Sequence, residues 1–479
     1  MTVRYFGVRL GMGALALLFC GNVAGQTSTI EGSVARVPSV PEFIQTITQS
    51  HPYWRLIEQK GVKYDASLTM AESEFDIKLE QDVNMRLSGY YNGNQVSQRA
   101  VKPLEGMNAK LFTEYRVAGG NFPVYEQQLD TLSGGEASIG VALSLLRNRD
   151  TDSRRTAVTN ARVAIAQWQA EASLMRNDFI FKGLSQYLKW YESTLKIATV
   201  NDLIDTLRIR RDGLQARVDN GDLPAVTLTE FDASILEQQL ALATLEQSRQ
   251  VAVQSLAFFW QSKGGASPFS ATSAGLQNID IHWPYALSLP SVQQLRVALR
   301  QHPVLQVRAA DVESLINEQR LAKNQLLPTL DMKAAVAQDF GSGPANLDDT
   351  ETKVALQFSY PLGNRKAKAK LSKAEADLAA SQLELTLAEQ QLRQEFEQAV
   401  VQWEQAQRVA ELQQQNAKVK EELSWLEQQR FEKGASDLFK LNARASQVMN
   451  ARLKNVEAAI SAMYAELSVH WVAAQLASK

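Results

Sequence analysis

The chain of 479 residues holds one cysteine and four histidines, His51, His282, His302 and His470. No His/Cys cluster with metal-ligand spacing can be assembled locally from these, so no metal site is expected. The lone cysteine, Cys20, excludes an internal disulfide framework. Lys plus Arg total 50 against 52 Asp plus Glu, a net charge of −2. That near-balance argues against nucleic acid as a partner, because phosphate binding needs a basic surplus. Beyond the N-terminal segment no apolar run reaches the roughly 18 residues of a membrane-spanning helix. Also missing are a Gly-x-Ser-x-Gly elbow, a phosphate-cradling glycine loop and a His-Glu-x-x-His pair. No catalytic residue, no cofactor and no enzyme activity is expected. The Asp, Glu and Arg residues read as solvated charge on helical faces.

Helix breakers are scarce too. No proline follows Pro361, and after Asn364 the one glycine is Gly434. A second proline-free run extends from Tyr125 to Leu223. Long runs without breakers, rich in Ala, Leu, Gln, Glu and Arg, predict very long helices. With 45% apolar and 21% charged residues, disorder is excluded. At the N-terminus Arg4 and Arg9 precede an apolar stretch, Gly11 to Cys20, and then Val23-Ala24-Gly25. This is the pattern of a secretory signal peptide over 1–25. Cys20 invites a lipid-attachment reading, against which bulky Phe19 stands.

The chain is written twice. His51-Pro52 and His302-Pro303 each open a helical stretch of roughly 20 residues, followed by two alternating segments and a long helical run. Asn148 answers to Asn364, and the same offset brings Tyr187 onto Trp403. Each long run breaks at one glycine, Gly221 or Gly434, before helix resumes. The period exceeds that of solenoid repeats, so the chain reads as a duplicated unit. The first repeat covers 26–263 and the second 291–479. The Gly/Ser/Pro-rich stretch 264–290 is a linker.

The alternating segments are expected as strands near 75–88, 136–146, 329–340 and 352–361. In the first, Phe75, Ile77, Leu79, Val83, Met85 and Leu87 fall on one face, and Asp76, Glu80 and Asp82 on the other. In the fourth, Val354, Leu356 and Phe358 oppose Lys353, Gln357 and Ser359. Runs this long exceed the usual strand of about 5–6 residues and suit a membrane barrel strand of about 9–11. The apolar rows are therefore assigned to lipid. Lys102, Glu105, Lys110 and Glu114 make 89–135 read as a long external loop. The helices carry seven-spaced rows, Leu371, Leu378, Leu385, Leu392, Ala399, Ala406 and Phe396, Trp403, Ala410, Ala417, which predict coiled-coil packing. Four membrane strands cannot close a barrel, and open edges in lipid leave backbone groups unpaired. Three chains would supply 12 strands and a lumen, so a homotrimer is expected.

At this point the chain resembles the TolC family of outer-membrane efflux proteins, from about Glu42 to Ala477. The resemblance rests on the two His-Pro helix starts, Leu327-Pro328-Thr329-Leu330 entering a strand, Tyr360-Pro361-Leu362-Gly363-Asn364 leaving one, and Asp437-Leu438-Phe439-Lys440-Leu441-Asn442-Ala443 after the second glycine turn. It implies a mainly α protein with a membrane β-barrel: duplicated strand-strand-long-helix units forming a trimeric 12-stranded barrel, continued by a long periplasmic α-helical barrel. It further implies a channel in the cell outer membrane that serves a tripartite export system. Its partners would be a periplasmic adaptor, an inner-membrane pump reached directly or through that adaptor, and outer-membrane lipid, with drugs, small molecules or proteins as cargo. Gly221, Asp222, Gly434 and Asp437 would form the periplasmic tip that meets the adaptor. Members often carry an acidic ring at that end, and Asp437, Asp222, Glu230 and Asp232 are the candidates, with helix capping as the other reading of these acids. A periplasmic adaptor or soluble coiled-coil scaffold is the alternative function.

Overall fold

A computed structural model describes residues 38–123, 130–260, 268–270 and 291–476. The signal peptide, Cys20, His282 and most of the linker lie outside the described residues. The chain runs α1 (Val40–Ser50), α2 (Pro52–Glu72), β1 (Lys78–Arg86), β2 (Gly93–Pro103), β3 (Ala109–Gly120), β4 (Glu136–Ser144), α3 (Ser153–Asp219) and α4 (Val226–Phe259). It continues with α5 (Val292–Ala298), α6 (Pro303–Asn324), β5 (Thr329–Asp339), β6 (Glu351–Ser359), α7 (Arg365–Glu432) and α8 (Leu438–Val472).

The helices are as long as the missing breakers demand. α3 has 67 residues and α7 has 68, each roughly 100 Å of helix at 1.5 Å per residue. α4 folds back on α3 and α8 on α7, giving two antiparallel hairpins. Their shared core is aromatic: Phe43 of α1, Phe179, Tyr187 and Trp190 of α3, and Phe259 of α4 pack with Ile460 and Leu467 of α8. A second cluster joins Leu392, Phe396 and Val400 of α7 to Leu295 of α5 and Val469 of α8. Along α7 the seven-spaced row is the inward one, with Leu392, Phe396, Ala399 and Ala417 buried.

Each strand-to-helix passage in the two repeats turns on a left-handed asparagine, Asn148 with φ 69° and Asn364 with φ 46°. Asparagine tolerates that conformation better than other residues bearing a Cβ. The Asn324 side chain accepts a 2.7 Å hydrogen bond from Asn148 N–H, and the Asn364 amide donates to Leu326 C=O at 3.0 Å. The first of these bonds stitches the two repeats where sheet meets helices.

The sheet departs from expectation in strand number. It has six strands in the antiparallel order β1-β2-β3-β4-β5-β6, where the sequence reading finds four. The stretch 89–135, expected as one external loop, holds the β2–β3 hairpin, and Lys102, Lys110 and Glu114 are strand residues. Phe75 also departs: it lies in a single turn of 3₁₀ helix before β1, 5% exposed, and does not face lipid. The Arg154 guanidinium sits 5.6 Å from its ring centre.

Candidate functional sites in the sheet and at the helical tips

Partners across a strand ladder share a face, so the register sorts every side chain. From β1 to β2, Leu79 lies opposite Ala100 and Val83 opposite Val96. Val96 lies opposite Val117 of β3, Thr113 opposite Ile139 of β4, Ile139 opposite Val336 of β5, and Ala334 opposite Val354 of β6. One mainly apolar face therefore runs across all six strands, interrupted on β2 by Asn94, Gln98 and Lys102. Leu79, Val83, Met85, Ile139, Val336, Val354, Leu356 and Phe358 are all exposed on it. Ile77 and Leu87 flank β1 and are also exposed. Exposed apolar area on that scale marks a surface meant for lipid or another chain.

The opposite face is polar and laced with charge. Arg116 lies 3.0 Å from Glu136, Lys353 lies 2.9 Å from the same carboxylate, and Lys353 reaches Glu351 at 2.8 Å. Ser144 donates to Asp331 at 2.7 Å. Glu80, Asp82 and Asp331 belong to this face, whereas Asp76 precedes the strand.

At the far ends of the hairpins both breaking glycines adopt left-handed φ, +80° at Gly221 and +74° at Gly434. Asp222 N–H donates to Arg217 C=O and Gly221 N–H to Val218 C=O; Ala435 and Gly434 repeat the pair to Arg430 and Phe431. These are Schellman closures, in which a left-handed residue satisfies the last carbonyls of a helix. Both turns belong to one end of the molecule. Leu223 and Leu228 from the first tip and Leu438 from the second join one cluster with Leu207, Leu214, Phe231 and Met449. Arg210 of α3 donates to Asn442 of α8 at 3.2 Å, and burial lowers the pKa of this arginine.

The four candidate acids fare differently. Asp437 is the N-cap of α8, accepting from Lys440 N–H at 2.8 Å and pairing with its ammonium at 2.9 Å. First that backbone bond and then the ammonium hold its carboxyl below the usual range. Asp232 forms a two-pronged pair with Arg211 at 2.7 and 3.3 Å, and this partner lowers its pKa. Asp222 and Glu230 are exposed. Glu427, which sequence reading passes over, is buried at the second tip: it accepts from Ser436 at 2.5 Å, with Arg430 at 3.7 Å and Arg444 at 3.9 Å. Its heptad spacing looks like any other charge on a helix, and only the fold of the turn brings its partners around it.

Among the described residues no cluster of His, Cys, Asp or Glu could hold a metal ion. No helix among them is long and apolar enough to cross a membrane.

Residues 295–469, most of the second repeat, match the sequence profile of the family described as outer membrane efflux protein. That match covers less than half of the chain. The chain's fold is similar over both repeats to solved channels of low identity. The outer-membrane channel OprN aligns at 12% identity with a TM-score of 0.66, over 93% of this chain and 92% of that one. VceC of Vibrio cholerae aligns at 14% and 0.63, over 91% and 96%. The open state of MtrE of Neisseria gonorrhoeae aligns at 13% and 0.64, over 91% and 89%. No curated protein matches the sequence. The chain thus shares the fold of these outer-membrane channels, and its second repeat carries the efflux-protein profile.

Proposed function

We propose that this chain is the outer-membrane duct of a tripartite export system. It acts as a homotrimer that accepts drugs, small molecules or proteins from a periplasmic adaptor and an inner-membrane pump. The observation that carries this is a sheet with one apolar and one charged face, joined directly to helices roughly 100 Å long. An adaptor or a soluble scaffold needs the helices but has no use for the apolar face. Exposed apolar side chains on α4 and α7, such as Leu240, Val251, Leu383 and Trp425, offer flanks for neighbouring copies. The repeats 26–263 and 291–479 each contribute one hairpin to the tube.

The tips at Gly221-Asp222 and Gly434-Asp437 form the end that opens and meets the adaptor. Exposed Asp222 and Glu230 supply the acidic aperture, since Asp437 and Asp232 already have cationic partners. In the membrane test, the protein is extracted from outer membrane with detergent and sized; a trimer is expected, and a soluble periplasmic monomer overturns the reading. Gly434→Val then tests the tip. Open space surrounds the glycine, so the cost is the left-handed backbone alone, about 1–2 kcal/mol. The variant should remain a membrane trimer and lose export; full export at normal expression removes the turn from the mechanism.

A further inference from the structure

The hairpin β2–β3 is the feature that the duct reading does not require. Its strands have 11 and 12 residues, enough to span a bilayer, which takes about 9–11. They are full members of the sheet. β2 pairs with β1 from Lys78 to Arg86, and β3 pairs with β4 from Ala109 to Arg116. The hairpin turn after Pro103 lies at the helical end: Asn108 accepts from Ser144 N–H at 3.2 Å and from the Arg154 side chain of α3 at 3.4 Å. Its two open ends meet at the other end, where Asn121 N–H donates to Asn92 C=O at 2.9 Å.

The hairpin also continues both faces of the sheet. Val96, Ala100, Leu111, Tyr115 and Val117 extend the apolar face, and the one polar couple placed mid-strand, Gln81 and Gln98, is hydrogen-bonded to itself at 3.2 Å. On the other face Arg99 lies 4.0 Å from Glu114, and Arg116 joins the Glu136–Lys353 chain. There the Phe112 ring occupies the space over its ladder partner Gly140, where a Cβ would meet it at 2.5 Å. Aromatic-over-glycine packing of this kind ties β3 to β4.

We propose that residues 93–120 are built into the barrel wall, so that each copy contributes six membrane strands and three copies close an 18-stranded barrel. The proposal rests on the trimeric duct. The occupant of each open edge is a second copy of this chain: among the described residues β1 and β6 each lack one neighbour and are exposed along their whole length. With six alternating strands per copy, β6 meets the next β1 antiparallel and no edge is left in lipid. Barrel diameter grows roughly linearly with strand number, so this wall is about half again as wide as a 12-stranded one. Its lining is charge-paired rather than of one sign. The membrane end is therefore a wide vestibule, and the helical tube sets the size limit on cargo.

Single cysteines in the full-length trimer test this in lipid vesicles with a membrane-impermeant maleimide. The pair Asp82→Cys and Val83→Cys reports β1, Ser97→Cys and Val96→Cys report β2, and Ala118→Cys and Val117→Cys report β3. Labelling at 82, 97 and 118 with loss of labelling at 83, 96 and 117 is expected. Alternation at 82/83 with equal labelling at 96/97 and 117/118 overturns the 18-stranded wall and leaves the duct intact. No alternation at any pair overturns both. Chain stoichiometry by native mass spectrometry completes the count: three chains support 18 strands, and two chains overturn it. Excision of 93–120 should lower the size of the largest polymer entering from the outer side; an unchanged cutoff in a variant that still assembles also overturns it.

Discussion

His51 and His302 stand at matching points of the two repeats and act alike. Each caps a helix whose first residue is proline, so the first N–H in need of an acceptor belongs to the next residue. His51 Nδ1 accepts from Tyr53 N–H at 3.1 Å, and His302 Nδ1 from Val304 N–H at 3.2 Å. Burial pushes both rings below the usual histidine value, partly offset by the backbone at Phe258 and Val472. A folded-state pKa below the unfolded one means that stability is complete above about pH 6.5 and falls as pH drops through the folded values, where Nδ1 takes a proton and stops accepting. Thermal unfolding from pH 8 to pH 5 should show this decline, and His302→Ala should flatten it at a cost of about 1 kcal/mol. An unaltered profile in that variant would remove the ring from the linkage. The acids at the tip separate by the same kind of reasoning. Asp437→Ala takes the cap from α8 and should lower the melting temperature with cation selectivity intact. Asp222→Asn together with Glu230→Gln should do the reverse in single-channel recordings, weakening cation selectivity and block by multivalent cations. If selectivity instead follows Asp437, the aperture lies there.

At the scale of elements, β1 offers the sharpest contrast, because neighbouring residues lie on the apolar and the charged face of the sheet. Leu79→Arg puts charge on the apolar face and should cost about 2–4 kcal/mol near mid-membrane, whereas Glu80→Arg on the charged face should be tolerated. Equal losses of folded trimer from both would contradict the face assignment. β1 was legible in sequence because Leu79, Val83 and Met85 alternate with Glu80, Asp82 and Asn84. β2 and β3 were not. On the apolar side of β2, Val96 and Ala100 are interrupted by Asn94, Gln98 and Lys102, and in β3 bulky Phe112 points to the charged side. A period of two in hydrophobicity is lost when Gln98 is satisfied by Gln81 and Phe112 by the gap above Gly140, both on other strands. The long helices needed no such help. Proline is missing from α3 and α7 and glycine from α7, and the inward row at Leu392, Phe396 and Ala399 follows the heptad spacing.

Across the whole molecule, two repeats share a plan and differ in one insertion. The His-Pro helix starts, the paired asparagines and the paired tip glycines recur in both, and local chemistry explains each: a capping ring, a left-handed side-chain amide, a left-handed turn. Such features depend on residues within a few positions of one another. The sequence therefore determined the long helices, their ends and four of the six strands, β1, β4, β5 and β6. The tertiary structure alone decided what depends on contacts between distant residues. Phe75 left the apolar row because the turn after α2 buries it. Glu427 became part of the tip because Ser436 and Arg444 fold back onto it. The supposed external loop became two strands because β1 and β4 supply ladders that its own residues cannot provide, and a strand's backbone hydrogen bonds always belong to its neighbours.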